Sequence, residues 1–194
     1  MPQLRALQAA FTALVLATSG TATLAQQAHS PYAGLHMRDI KALSDQQISD
    51  LAAGRGMGFA LAAELNGYPG PLHVLELAGP LALTETQRAT VQRQFEAMQA
   101  EAIPLGRRMI AAEAELDRAF AERTITPERL TTLTAQIGEI GGMLRNIHLK
   151  YHLSTAALLS GEQVHRYGEL RGYGRGAHSH GAERHGPQHS TPRH

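Results

Sequence analysis

His148 and His152 stand four residues apart in the run His148-Leu149-Lys150-Tyr151-His152. On a helix, side chains at i and i+4 lie one above the other, so two imidazoles at this spacing can share one transition-metal ion. Two ligands do not complete a site. A third is available from His73 or Glu76, an i,i+3 pair in Leu72-His73-Val74-Leu75-Glu76-Leu77, or from Glu64. The same spacing also suits two polar side chains at a helix edge that hydrogen-bond backbone or neighbouring groups, and the pattern alone leaves both roles open. Imidazoles with one carboxylate favour Zn, Ni, Co or Cu(II) over Mg or Ca. The run is not His-Glu-x-x-His, so it lacks the general base of a zinc protease.

A second group of potential ligands lies at the C-terminus, where His178, His180, His185, His189 and His194 are spread among Gly, Ser, Pro and Arg. Such tracts chelate transition metals loosely, or serve only as soluble tails. Residues 172–194 carry too little apolar surface to offset chain entropy and are expected to be disordered. Met98 and Met109 are potential Cu(I) ligands, but both fall on an apolar helical stripe that predicts core packing. The chain has no Cys, which excludes disulfides, thiolate zinc sites and a cysteine nucleophile. Gly54-Arg55-Gly56-Met57-Gly58 follows a helix-like patch instead of a strand and has no Gly-Lys-[Ser/Thr] after it, so it reads as a connector and not a phosphate loop. No Ser/His/Asp grouping or carboxylate pair has a catalytic context. The expectation is a non-enzymatic protein that requires no cofactor, with a transition metal (Zn, Ni, Co or Cu) as an optional ligand.

Two long periodic stretches must position these groups. In the first, Val91, Phe95, Met98, Ala102, Leu105, Met109, Ala112, Leu116 and Phe120 recur at steps of three and four, placing one apolar stripe on a helix face. Pro104 removes a backbone donor inside this stretch and predicts a kink near residues 99–102, not two separate helices. In the second, Leu130, Leu133, Ile137, Ile140, Leu144, Ile147, Tyr151, Ser154 and Leu158 keep the same rhythm. Thr126 is an N-cap candidate with Pro127 at the first helical position, and Ile125 with Leu130 can form a hydrophobic staple. A connection this short makes the two helices antiparallel neighbours, each about 50–60 Å long. His148 and His152 each follow a stripe residue, Ile147 and Tyr151, and should flank the seam. The turn cluster Asn66-Gly67-Tyr68-Pro69-Gly70-Pro71 aims the His73 segment back onto these helices. No window alternates with period two, so no sheet is expected.

Residues 1–25 read as a secretory signal peptide: Arg5 is the one charge before Arg38, Ala6–Thr18 is apolar, and Ala25 closes a small-residue cleavage site. The apolar run is too short to span a membrane. Cleavage leaves 17 basic and 17 acidic residues and all 11 His. A formally neutral chain does not have the footprint of a nucleic-acid binder, and mild acidification should make it positive. Export without Cys fits a periplasm.

Leu83-Thr84-Glu85-Thr86-Gln87 and Leu159-Ser160-Gly161-Glu162-Gln163 share the pattern Leu-[Ser/Thr]-x-x-Gln, and Leu43-Ser44-Asp45-Gln46-Gln47 repeats it. Each is a capping box, in which the hydroxyl accepts from the third helical N–H and the Gln reaches back to the cap N–H. Two such boxes, Leu83/Thr84/Gln87 and Leu159/Ser160/Gln163, bracket the long pair of helices. In this setting residues 72–172 resemble the LTxxQ-motif family, the periplasmic Spy/CpxP-like proteins and their metal-resistance and metal-sensing relatives. The resemblance implies an all-α cradle, a dimer of interlocked hairpins that works without ATP. Its chaperone members hold unfolded periplasmic clients on a concave surface, and related members sense or buffer Zn, Ni, Co or Cu through His, Glu and Met.

The expected architecture is therefore all-α: a signal peptide (1–25), an N-terminal extension with short helices (26–82), a long antiparallel helical hairpin with short flanking helices (83–171), and a His-rich tail (172–194). The expected partners are unfolded periplasmic proteins or metal ions and a second copy of the chain. No nucleic acid is expected as a partner, and no membrane insertion after signal cleavage. Client binding would use the amphipathic helical surface with Arg88, Arg93, Arg107 and Arg108. A metal role would instead use His148, His152, His73, Glu76 and the tail.

Overall fold

The architecture is all-helical, and the computed structural model describes residues 32–173. The expected signal peptide and nearly all of the expected His-rich tail, including His178, His180, His185 and His189, lie outside the described residues. Among the described residues there are no strands. A 3-10 turn at Leu35–Met37 precedes six α-helices: α1 (Asp45–Ala52), α2 (Leu61–Glu64), α3 (Pro71–Glu76), α4 (Glu85–Ala121), α5 (Pro127–Ala156) and α6 (Gly161–Leu170). No described helix is long and apolar enough to cross a membrane.

Helix starts follow the local chemistry read from the sequence. Ser44, Thr84 and Ser160 each sit in extended backbone and accept from the backbone N–H of Gln47, Gln87 and Gln163, while each Gln bonds back to the cap, completing three capping boxes. Thr126 caps α5 through Arg129 N, with Pro127 in the first turn. Pro104 lies inside α4, which continues unbroken through it from Glu85 to Ala121.

The long helices pack on one another in antiparallel register. Glu115 pairs with Arg129 at 3.3 Å, Glu101 with Lys150 at 2.5 Å, and Gln94 accepts from Thr155 at 3.0 Å, so positions descend along α4 as they ascend along α5. Between them, Met98, Ala102, Met109 and Ala112 of α4 bury against Ile140, Leu144 and Ile147 of α5. Side chains buried as fully as Ile140 and Leu144 contribute about 1.5–3 kcal/mol each. The stripe is not covered along its whole length, since Phe120 and Leu130 at the distal end are exposed.

The N-terminal helices cover the opposite half of the seam. Ile40, Leu43 and Leu51 complete the main core. The backbone of α1 comes so close to α4 that a Cβ at Gly106 would overlap the Leu51 carbonyl oxygen. Gly106 looks like a defect in the helical pattern, yet it is where two backbones touch. A second cluster joins Val74 of α3, Leu81, Val91 of α4 and Tyr167 of α6 at the end where α4 begins.

Candidate functional site

A cleft of about 710 Å³ lies between the α1–α3 segment, one face of α5 and the last described residues; Glu64, Gly70, His73, Glu76, His148, His152, Arg171 and Tyr173 line it. It is assembled from the bottom by α5, whose residues His148, His152 and Thr155 form a second buried row beside the Ile140–Leu144–Ile147 seam. The cover is the Gly- and Pro-rich stretch from Gly54 to Pro71. Its left-handed turns at Gly54, Met57, Gly58 and Gly67 let the chain wrap the helix at short range.

His148 is 2% exposed. Its ring stacks parallel to Phe59, with centroids 6.1 Å apart, and Nε2 is buried without a hydrogen-bond partner. Burial, reinforced by the neighbouring His152, pushes its pKa down to about 4. At neutral pH the ring is therefore uncharged and one of its nitrogens carries a free lone pair.

His152 is held differently. Its Nδ1 stands 2.7 Å from the Tyr68 carbonyl oxygen. A carbonyl only accepts, so Nδ1 carries a proton and donates to it. Its Nε2 faces Gly70, where a Cβ would lie only 2.5 Å away, so the close approach requires glycine. A ring nitrogen fixed by a backbone carbonyl with the other left bare is the arrangement that prepares a histidine for a metal.

Glu64 forms the polar floor. It is 7% exposed and accepts from Tyr167 Oη at 2.5 Å and Tyr173 Oη at 3.3 Å. Arg171 Nε lies 3.5 Å from Oε1, and His152 Nδ1 lies 3.7 Å from Oε2, which has no hydrogen bond of its own. Burial and the adjoining Glu64 carboxylate push the Tyr167 hydroxyl far above its usual pKa, so it stays protonated as a donor.

The expected metal ligands are thus partly gathered. His148, His152, His73 and Glu76 all line one cleft. However, His73 Nδ1 and Glu76 are 2.9 Å apart and satisfy each other on α3. Among the described residues no group of three or more His, Cys, Asp or Glu is arranged to hold a metal ion. His148 and His152 lie beside the seam, buried under the connector. Tyr167, Arg171 and Tyr173 were not among the residues singled out from the sequence, because no spacing rule links a C-terminal helix to α2. The tyrosines in an aromatic-poor chain were the one available cue.

No family model, curated protein or solved structure matches the chain. What the site can do is set by its own geometry.

Just beyond the C-terminal end of α5 the signature residues meet. Gln87 Nε2 donates to Gln163 Oε1 at 2.9 Å, and Gln163 Nε2 donates to Gln87 Oε1 at 3.1 Å. Each amide also reaches across to a carbonyl beside the other box, Gln87 to Leu158 at 2.9 Å and Gln163 to Leu81 at 3.2 Å. Thr84 and Ser160 cap their helices alongside, and the half-buried Leu83 and Leu159 pack into the Val74–Tyr167 cluster.

Proposed function

We propose that this chain is a non-enzymatic envelope-stress protein of the LTxxQ, Spy/CpxP-like kind, exported to the periplasm. It would hold unfolded clients without ATP on a cradle formed by its two long helices and those of a second copy. The observation that carries this reading is the reciprocal Gln87–Gln163 amide pair. It gives the two LTxxQ-type boxes a shared structural purpose that separate capping boxes do not have. Exposed Leu61, Leu65, Leu72, Leu153 and Phe120 supply apolar surface for a client. The test is suppression of aggregation of a chemically denatured protein at stoichiometric amounts without nucleotide. Delayed aggregation is expected, weakened when Leu61, Leu65 and Leu153 are replaced by Ser. Unchanged aggregation in the presence of the wild-type chain rejects the reading.

A second reading is favoured by the bare Nε2 atoms of His148 and His152: a periplasmic heavy-metal binding sensor or resistance protein for Zn, Ni, Co or Cu. The neutral His148 imidazole beside His152, in a cleft floored by the Glu64 carboxylate, suits borderline metals. Calorimetric titration with Zn(II) is the direct check, and absence of binding at micromolar concentration ends it.

A further inference from the structure

We infer that the cleft is a binding site for a small uncharged aromatic molecule bearing a hydroxyl group, its ring against the apolar wall and its hydroxyl on the buried Glu64 or His148. This goes beyond client holding and metal binding and depends on neither.

Two polar atoms of the lining are left without protein partners. Glu64 is 7% exposed and His148 is 2% exposed, and both line the cleft. Glu64 Oε2 and His148 Nε2 are each buried with no hydrogen bond. His152 stands between them in the network: its Nδ1 is 3.7 Å from Oε2, and it follows His148 by one turn of α5. Burying such atoms unpartnered costs more than a made bond returns, so a complementary group entering the cleft is favoured. Gly56, also in the lining, keeps the imidazole accessible. A Cβ at that position would lie 3.6 Å from His148 Nδ1, in contact with the ring, and a longer side chain would cover it.

The charges of the lining are already matched. Asp50 pairs with Arg55 at 2.6 Å, Glu64 with Arg171 at 3.5 Å, and Glu76 with His73 at 2.9 Å. Burial holds the His148 ring neutral at neutral pH. An entering ion would lose its hydration and find no unmatched counter-charge among the described residues of the cleft, which selects an uncharged occupant.

The rest of the wall is apolar. Phe95 and Met98 of α4 face the cleft together with Met57, Leu61 and Leu72 of the N-terminal segment. A phenyl ring and two thioethers favour an aromatic ring between them. A volume of about 710 Å³ falls within the range of small-molecule sites, about 300–1,000 Å³. A hydroxyl donates to a carboxylate oxygen, and because it also accepts, it suits His148 Nε2 in either tautomer.

Equilibrium dialysis of the whole chain with β-naphthol tests this at neutral pH. Three relatives are compared with it: the methyl ether, which keeps the rings and loses the donor, β-naphthoate, which is an anion, and β-naphthylmethylamine, which is a cation. Expected is one saturable site for β-naphthol, with each of the three relatives weaker by about tenfold or more. In spectra of isotope-labelled methionine methyl groups, Met57 and Met98 in the cleft should shift, while Met37 and Met143, exposed elsewhere, should not. His148→Leu removes Nε2, and Gly56→Leu fills the space over the ring at a position whose backbone is not left-handed. Each should weaken β-naphthol by about tenfold. The comparison among the four probes on the wild-type chain requires no variant to fold. Equal affinity for β-naphthol and its methyl ether overturns the inference in favour of a merely apolar surface. Tighter binding of either ion overturns it, as does a shift confined to Met37 or Met143. Absence of saturable β-naphthol binding at millimolar concentration overturns it in favour of a cleft that holds only water.

Discussion

The side-chain amides of Gln87 and Gln163 donate to each other, at 2.9 and 3.1 Å, while each also serves as the back-bond of its own capping box. Two local motifs 76 residues apart thereby become one joint that locks the start of α6 to the start of α4. Among the described residues the third box has no such partner, and Gln47 closes its own cap on Ser44.

Replacing either Gln87 or Gln163 by Ala should therefore cost more than an ordinary cap. Loss of the back-bond and of the half-buried cross-bonds predicts about 2–3 kcal/mol, against about 1 kcal/mol for Gln47→Ala. Urea denaturation of both single variants and the double variant should show a coupling of at least about 0.5 kcal/mol. Strict additivity would mean that the two amides act independently.

Gly106 separates close packing from helix propensity. An Ala there meets the Leu51 carbonyl oxygen, so α1 must shift, and a loss of about 2–4 kcal/mol is expected. At Gly138 and Gly142 a Cβ meets open space within α5. Ala at either of those positions should instead stabilise by about 0.5–1 kcal/mol. Thermal unfolding of the three variants checks the opposite signs.

The depressed pKa of His148 links folding to pH. A histidine that ionises near 6.5 when unfolded but at about 4 when folded takes up protons preferentially in the unfolded state between those values. Its contribution is complete above about pH 6.5 and is lost as the pH falls toward 4, by up to about 3 kcal/mol. His148→Leu should flatten the stability profile between pH 7 and 4.5 in urea titrations. An unchanged slope would place the acid sensitivity elsewhere.

Tyr167 is the closest donor to the buried Glu64 carboxylate. Tyr167→Phe removes a charge-assisted bond and leaves the carboxylate with weaker partners, so a loss of about 1.5–3 kcal/mol is expected. Glu64→Gln at the same time should recover part of that loss, because no buried charge remains to be satisfied. Equilibrium unfolding of the single and double variants checks both signs.

How much of this was legible in the sequence depended on the range of the interaction. The three-four rhythm placed Met98, Ala102, Met109, Ile140, Leu144 and Ile147 in the core, where they are buried, because a helix repeats every 3.6 residues and the signal lies within one segment. It also placed Phe120 and Leu130 on the stripe, and both are exposed. Periodicity defines a face but does not say how far along that face another element extends. No local pattern explains Gly106, because the Leu51 backbone that requires it lies 55 positions away.

The sequence by itself determined the helices, their caps and the short antiparallel connection, since each rests on neighbours within about four residues. It also identified His148 and His152 as a pair. Tertiary structure alone decided that this pair is buried under the Gly54–Pro71 stretch, that Glu64 collects Tyr167, Tyr173 and Arg171, and that Gln87 meets Gln163. Those contacts join residues 76 to 109 positions apart. They form where several helix surfaces converge, and no one-dimensional pattern encodes which surfaces those are.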